Sequence, residues 1–595
     1  MYVPLLVLGV FVVQALAEYR MKRILLGLML LGAPALLAQD SVIVIDPDAA
    51  PDTADRETMP DALVRRLLGL YNAPGTTRFW GDVDVPENGR ISGTIAVYRG
   101  SVRLAGRLEG SLTIINGSLL MLPGSSVTGD VLVVGGRITT NGDAAIGGRR
   151  EEHWDAAPVV RSAEGILIQR ERRRFPALTT ARRSFQTGSL RATILVGTDG
   201  TYNRVEGVPI VFGPQLEYRF NNRLTGRLDV RGILRTASDE DQLREDFGYF
   251  GRAELRINGS RGVGIGTRAY SIVSPIEEHP LSRDEVGWSA FLFQRDQRDY
   301  FLQKGITGYI YAYLSRQLRL EAALRHDKEE SVRANDPWSL FRNSDRWRPN
   351  PLIDDGHYTT AGLTIELDTR NDDDLPTSGW WIRTVLERSW SNDVAPVALP
   401  TSVRNGIPTA GDYAFNRATL DIRRYNRIAA NLQMGTRLFA SGYAGGDPLP
   451  IQRRVSLGGS DFLPGYDFRA FACAPDGFND PALPALCDRM MVAQVDFRTR
   501  LNLGLGYRYR DETRREIDRF IGIDQADLVV YLDGGKGWLT GDGPGRVPDN
   551  RIPSLSEWKA DIGVGLDAGG LGIYLSRALT DGQPVRLGLR LQRRF

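Results

Sequence analysis

The feature that most constrains this chain is a strict alternation of apolar and polar residues with charge on the polar beat. In the last segment, VRLGLRLQRRF, Val585, Leu587, Leu589, Leu591 and Phe595 fall on one face, while Arg586, Arg590, Gln592 and Arg594 fall on the other. Trp558, Ala560, Ile562, Val564 and Leu566 alternate in the same way with Lys559, Asp561, Gly563 and Asp567. Leu432, Met434 and Leu438 alternate with Asn431, Gln433 and Arg437. Successive side chains of a strand point to opposite faces, so each segment is apolar on one side and wet on the other. A soluble sandwich would bury the charged face or leave the apolar one uncovered. A barrel with lipid outside and a polar lumen inside satisfies both.

Sixteen such strands are expected, starting near 189, 206, 222, 245, 261, 304, 317, 357, 378, 411, 428, 490, 526, 558, 569 and 584. Arg283 to Tyr300 is read as helix inside a loop, because one more strand would make the count odd and reverse the later strands. Short turns such as Arg424 to Arg427 then face one side of the membrane. Longer segments, Asp327 to Gly356 and Ser391 to Gly411, face the other. The fold class is all-β: a sixteen-stranded antiparallel transmembrane β-barrel over 188–595, preceded by a short β-solenoid.

The solenoid is read over 89–148, where short apolar runs recur about every twenty residues with Gly, Asn and Asp at the corners (ISGTIAVYRGSVRLAGR, LEGSLTIINGSLLMLPGSSV, TGDVLVVGGRITTNGDAAI). Residues 39–88 form a linker with one short helix, Pro60 to Tyr71, whose Leu63, Leu67, Leu68 and Tyr71 share a face. That stripe can pack on a neighbouring unit or touch a membrane surface. A second linker, 149–187, carries the basic cluster Arg170, Arg172, Arg173 and Arg174, a solvated stretch or an attraction for anionic lipid.

Residues 1–38 form a signal-peptide region. Met21-Lys22-Arg23 precedes an apolar run from Ile24 to Leu37 with small residues at Ala35 and Ala38, so the true start is expected at Met21 and the mature chain near Gln39. No mature segment approaches the ~20 apolar residues of a spanning helix. Export suits the two cysteines: Cys473 and Cys487 lie in one segment and are expected to pair in an oxidising compartment. Net charge is +2 from 74 basic and 72 acidic residues, which gives no argument for nucleic acid. His153, His279, His326 and His357 are dispersed, no G-x-S-x-G elbow occurs, and Gly262-Val-Gly-Ile-Gly266 sits in a strand rather than before a helix. No enzyme activity, metal site or cofactor is expected.

The ordered set RRVSLGGSDFLPGYDFRAF (Arg453 to Phe471), MVAQVDFRTRL, LVVYLDGGKGW and the terminal Phe595 resembles the outer-membrane protein assembly factor superfamily, the BamA/TamA-like and two-partner secretion barrels. TYNRVEGV (Thr201 to Val208), and Asp368-Thr369-Arg370 with Leu375 to Trp380, resemble turns of such bacterial surface antigen barrels. The repeats at 89–148 resemble a bactofilin β-helix. The resemblance implies an inward-folded plug loop with motif residues Gly458, Gly459, Leu463, Pro464, Gly465 and Tyr466, and lumen acidic partners at Asp496 and Asp533. Pro464 stands where the family carries Arg, so Arg469 is the substitute expected to reach those two carboxylates. Leu589, Leu591 and Phe595 would form the C-terminal barrel signal. The implied activity is insertion of outer-membrane proteins or translocation of unfolded polypeptides. The implied partners are outer-membrane lipid, an unfolded client, and either a periplasmic partner or self-association through the solenoid. A passive or gated pore and an envelope-anchoring structural protein are the alternatives. The implied location is the bacterial outer membrane, with the solenoid in the periplasm.

Overall fold

The computed structural model describes residues 61–153, 157, 159–161, 165–169 and 181–595. Within the last span, 199–201, 222–223, 238–246, 258–261, 278–280, 316, 342–345, 372–375, 405–410, 430–431, 475–483, 511–517 and 569–570 lie outside the description. The signal segment and the Arg170–Arg174 cluster also fall outside the described residues.

Helix α1 (Asp61–Asn72) opens the described chain, and the solenoid follows it. Thr77–Trp80, Ile95–Tyr98, Leu112–Ile115, Val131–Val134 and Arg150–His153 stack in parallel as one five-stranded face. Two four-stranded faces complete the coil. The rungs therefore begin at Thr77, upstream of Gly89. Val97, Leu104, Ile114, Met121 and Val133 fill the interior. Strands such as VRL at Val102–Leu104 alternate buried and exposed, but IAVY, LTII and VLVV are buried at every position. The reason is a cover on their outer side: Leu63, Leu67 and Tyr71 of α1 lie on Tyr98, Ile115, Leu132 and Val134. The hairpin of Val159–Arg161 with Leu167–Gln169 closes the same face, and the Tyr98 hydroxyl donates to the Val159 carbonyl at 2.8 Å. The apolar stripe of α1 is thus spent on the solenoid.

The barrel strands are β1 (Leu190–Thr198), β2 (Ile210–Arg219), β3 (Leu224–Leu234), β4 (Phe247–Ile257), β5 (Val263–Pro275), β6 (Tyr300–Tyr313), β7 (Leu318–Ser331) and β8 (Asp355–Asp368). They continue as β9 (Gly379–Ala395), β10 (Gly411–Arg427), β11 (Leu432–Gly446), β12 (Arg489–Arg510), β13 (Asp518–Thr540), β14 (Lys559–Ala568), β15 (Leu571–Ala578) and β16 (Arg586–Arg590). These are the sixteen expected strands, each antiparallel to the next. The continuous sheet holds two more, a two-residue strand Arg546–Val547 and an arm, Ala181–Thr187, paired antiparallel to β1. Helix α2 (Arg283–Phe293) occupies the β5–β6 connection and carries a Ser282/Glu285 capping box, so that segment adds no strand.

Outward positions carry a continuous apolar belt: Ile194, Val230, Leu255, Ile265, Ile306, Leu324, Val564 and Leu587 are all exposed. Trp380, Tyr218 and Phe220 lie at the short-turn rim, the level of an interfacial aromatic girdle. Inward positions are largely polar, and many pair with one another. Tyr309 and Tyr311 donate to Glu254 at 2.6 and 3.0 Å, and Tyr270 and Gln303 donate to Asp327 at 2.6 and 2.8 Å. The solenoid meets the short-turn end, where Arg137 donates to Gln317 at 3.1 Å and Arg427 lies 3.9 Å from Asp82.

Ile265 pairs with Ile310 and with Leu255 on the outer face. Ile265→Arg is expected to cost about 2–4 kcal/mol in denaturant unfolding from lipid vesicles, the penalty of a cation at mid-membrane depth. An exposed site on a soluble sheet would respond within about 0.5 kcal/mol, and that outcome would contradict a lipid-facing belt.

Candidate functional site: the inward loop and the seam

Loops at the end away from the solenoid are named by the strands they join: L1 (β1–β2), L3 (β5–β6), L4 (β7–β8), L5 (β9–β10) and L6 (β11–β12). L6 folds back into the lumen. At its root Cys473 and Cys487 form a disulfide, Val455 and Cys487 pair as an isolated bridge, and Leu457 pairs with Phe471. Leu457, Phe462, Leu463 and Tyr466 are buried against Phe439, Met490 and Val492 of the barrel wall.

The tip makes its polar contacts with backbone and a tyrosine. Gly465 donates its amide N–H to Asp561 on β14, and the Tyr466 hydroxyl donates to the Ala560 carbonyl at 3.1 Å. A Cβ at Gly465 would come within 2.7 Å of the Ala578 amide nitrogen, so only glycine lets the tip lie this close to β14 and β15. Gly459 bridges Leu463, and Gly458 accepts the Arg469 N–H at 3.3 Å. Pro464 lines the space beside the tip.

Arg469 does not meet Asp496 or Asp533. Its guanidinium turns toward L3, where it donates to Glu277 at 2.8 Å and to Asp299. Asp299 also receives Arg204 of L1 at 2.7 Å and Arg348 of L4 at 2.5 Å, and Arg204 lies 3.3 Å from Asp296. Three guanidiniums and three carboxylates thus balance in one buried cluster that ties L1, L3, L4 and L6 together. Burial alone would raise the Asp299 pKa, but the guanidiniums of Arg469, Arg348 and Arg204 overcome it and hold the carboxyl well below its usual range. A second knot adds L5: Asp354 of L4 accepts Arg404, and the Val397 and Ile451 amides at 2.7 and 3.0 Å.

The two expected lumen carboxylates have other partners. Asp496 accepts Arg498 of its own strand at 2.9 Å and the Gly435 amide at 3.1 Å. Asp533 is taken by Arg594, whose guanidinium stacks 3.5 Å above the Tyr531 ring. Here the C-terminal segment corrects the alternation. Leu587 and Leu589 face outward, but beyond Arg590 the chain turns inward, and Phe595 is buried beside Gly435 rather than on the lipid face. The turn is held by Glu285 of α2, which accepts Arg590 at 2.7 Å and the Leu591 amide at 2.8 Å, and by Arg593 donating to the Pro376 carbonyl at 3.0 Å. Period two therefore ends with the strand at Arg590: beyond it Arg594 keeps its inward place, and Phe595, which alternation would send outward, is drawn in beside it.

Sequence reasoning missed Glu277, Asp299, Arg348 and Arg594. The Arg204 signal was present in TYNRVEGV, and Asp299 sits in the charged run QRDQRDY just before β6. What the sequence could not supply was which loop each charge meets across the lumen.

β16 spans five residues and pairs only with β15; among the described residues no ladder joins it to β1. Behind it lies a cavity of about 410 Å3 bounded by L3, the L6 tip and the inner faces of Tyr574, Ser576, Arg586 and Arg590.

Arg469→Ala is expected to destabilise the L6 latch by about 3–5 kcal/mol, because two carboxylates lose their shared cation in a buried site. Arg469→Lys should not restore it, since one ammonium cannot match two divergent guanidinium arms. The sign of the pH effect follows from Asp299. Its folded pKa is depressed, so its contribution is fully present above the unfolded value of about 4 and is lost only as pH falls through the lower folded value. Pepsin at about pH 3 should therefore leave L6 intact in the native chain and cut it in Arg469→Ala; equal cleavage of both would refute the latch.

No protein-family profile matches the chain, and no curated protein matches it. Similar solved structures include BamA from Haemophilus ducreyi lacking POTRA domains 1–3, at 12% identity and a TM-score of 0.32, covering 69% of this chain and 68% of that one. CdiB from Acinetobacter baumannii matches at 11% identity and a TM-score of 0.27, over 68% of this chain and 60% of that one. CdiB from Escherichia coli matches at 12% identity and a TM-score of 0.29, over 68% and 62%. At these scores the fold rests on the strands themselves.

Proposed function

We propose that this chain is an outer-membrane barrel that assists insertion of outer-membrane proteins or translocation of unfolded polypeptides, with the solenoid in the periplasm. The observation that carries the reading is the seam. Among the described residues no ladder joins the five-residue last strand to β1; the outer edge of β16 therefore presents backbone groups that an extended client can pair, and the edge of β1 is held only by a seven-residue arm. Strand addition at an edge supplies affinity through main-chain hydrogen bonds with little demand on sequence, which suits varied clients.

Two further features support a lateral route. L6 and the C-terminal residues 591–595 fold into the lumen and pair their charges there, which narrows an axial route. The cavity behind β16 gives the last strand room on its inner side. The solenoid, at the short-turn end, stands where a client leaving the periplasm would arrive.

Depletion of the chain followed by quantitative proteomics of the outer membrane tests the function. Selective loss of other barrel proteins is the expected result. Unchanged barrel content with altered small-solute permeability would instead establish a pore, and unchanged content with envelope detachment an anchor.

A further inference from the structure

The arm Ala181–Thr187 is unexplained by barrel closure. Sixteen alternating strands leave β1 and β16 running in opposite directions, the parity that an antiparallel barrel needs to close. The arm lies on the β1 edge at that join, in register from Ala181↔Val196 to Thr187↔Leu190, and therefore runs in the same direction as β16. It occupies the edge that the last strand would need.

We propose that the outer edge of β1 is a strand-docking surface with a resident, displaceable occupant, the arm. In the arm's place the edge takes an extended peptide antiparallel to β1, with apolar residues at alternate positions. This rests on the seam reading above and adds what guards the seam.

Three observations define the site and its guest. The arm matches seven residues of β1, whereas the β1 strand offers nine, so a guest spanning Leu190–Thr198 gains ladder pairs that the arm lacks. The faces of β1 are sharply divided: Ile194 and Val196 are exposed toward lipid, while Thr193 and Leu195 are buried toward the lumen. On the lipid side the arm sets Phe185 beside Ala192 but Arg183 opposite Ile194, so a guest with apolar residues at every second position matches Ile194 and Val196 better than the arm does. The arm and β1 are joined through Gly188, at φ +56°, a tight left-handed turn. On the other side of the seam, residues 591–595 are held in the lumen by Glu285 and Asp533, so β16 does not contend for the β1 edge.

The test uses the full chain in lipid vesicles with a photo-crosslinking residue at Ile194 and, as probe, the peptide PVRLGLRLQRRF. An arm that holds the edge more than nine-tenths of the time lowers apparent peptide affinity about tenfold. Deleting 181–187 is therefore expected to raise capture by about tenfold. A disulfide between Phe185→Cys and Ala192→Cys, register partners on the lipid face, is expected to lower capture below the native level. Reductant should restore it, with the native chain in the same reductant controlling for Cys473–Cys487. Capture that is the same with the arm present, deleted and locked would overturn the proposal. The locked variant keeps every other residue and so covers the case in which the deletion fails to fold. Peptide capture needs no client insertion: a depletion experiment that leaves other barrels intact would sink the function but not the arm, and arm-independent capture would do the reverse.

Discussion

Asp299 is the point at which four loops are made into one cap. Its two oxygens are shared among guanidiniums delivered by L1, L4 and L6, while Glu277 and Asp296 of L3 balance the excess positive charge. Taking such charges out of water is costly, and their mutual attraction offsets the cost only when geometry and hydrogen bonds are complete. That condition makes the cap cooperative. Removing one cation leaves two carboxylates short of a partner, so the loop either stays latched with its neighbours or leaves with considerable disruption.

The same economy of charge shapes the far end of the chain. Arg590 and Arg594 draw the last residues inward to Glu285 and Asp533, and this leaves β16 short. A short last strand and an arm on β1 together keep the two sides of the seam apart, while the L6 tip, fixed by Gly465 to Asp561, braces β14 and β15 from within. The wall is thus firmest where L6 touches it and least bonded one strand further on.

Much of the fold was legible because lipid and a wet lumen impose period two on every strand. The sixteen strand starts, the helix within the β5–β6 loop and the α1 stripe over Leu63, Leu67 and Tyr71 all follow from local pattern. The arm was not legible: ARRSFQT continues a polar linker, and only its tight Gly188 turn marks a hairpin. The lumen was harder still. Alternation says that Asp533 and Asp496 face inward, but any inward cation can serve an inward carboxylate. Arg594 and Arg498 lie closer to them than Arg469 does by the path the chain takes. Phe595 misled because the strand ends at Arg590, and a period extrapolated past that end does not hold for the residues that follow.

The latched L6 loop lies inside the lumen, and under the function proposed above a client passes the wall rather than the axis. Single-channel conductance in planar bilayers measures this directly. A small conductance is expected for the native chain and a large, stable one once the segment 456–471 is deleted and replaced by a short Gly-Ser linker. A conductance that is already large in the native chain, or that hardly rises on deletion, would contradict it.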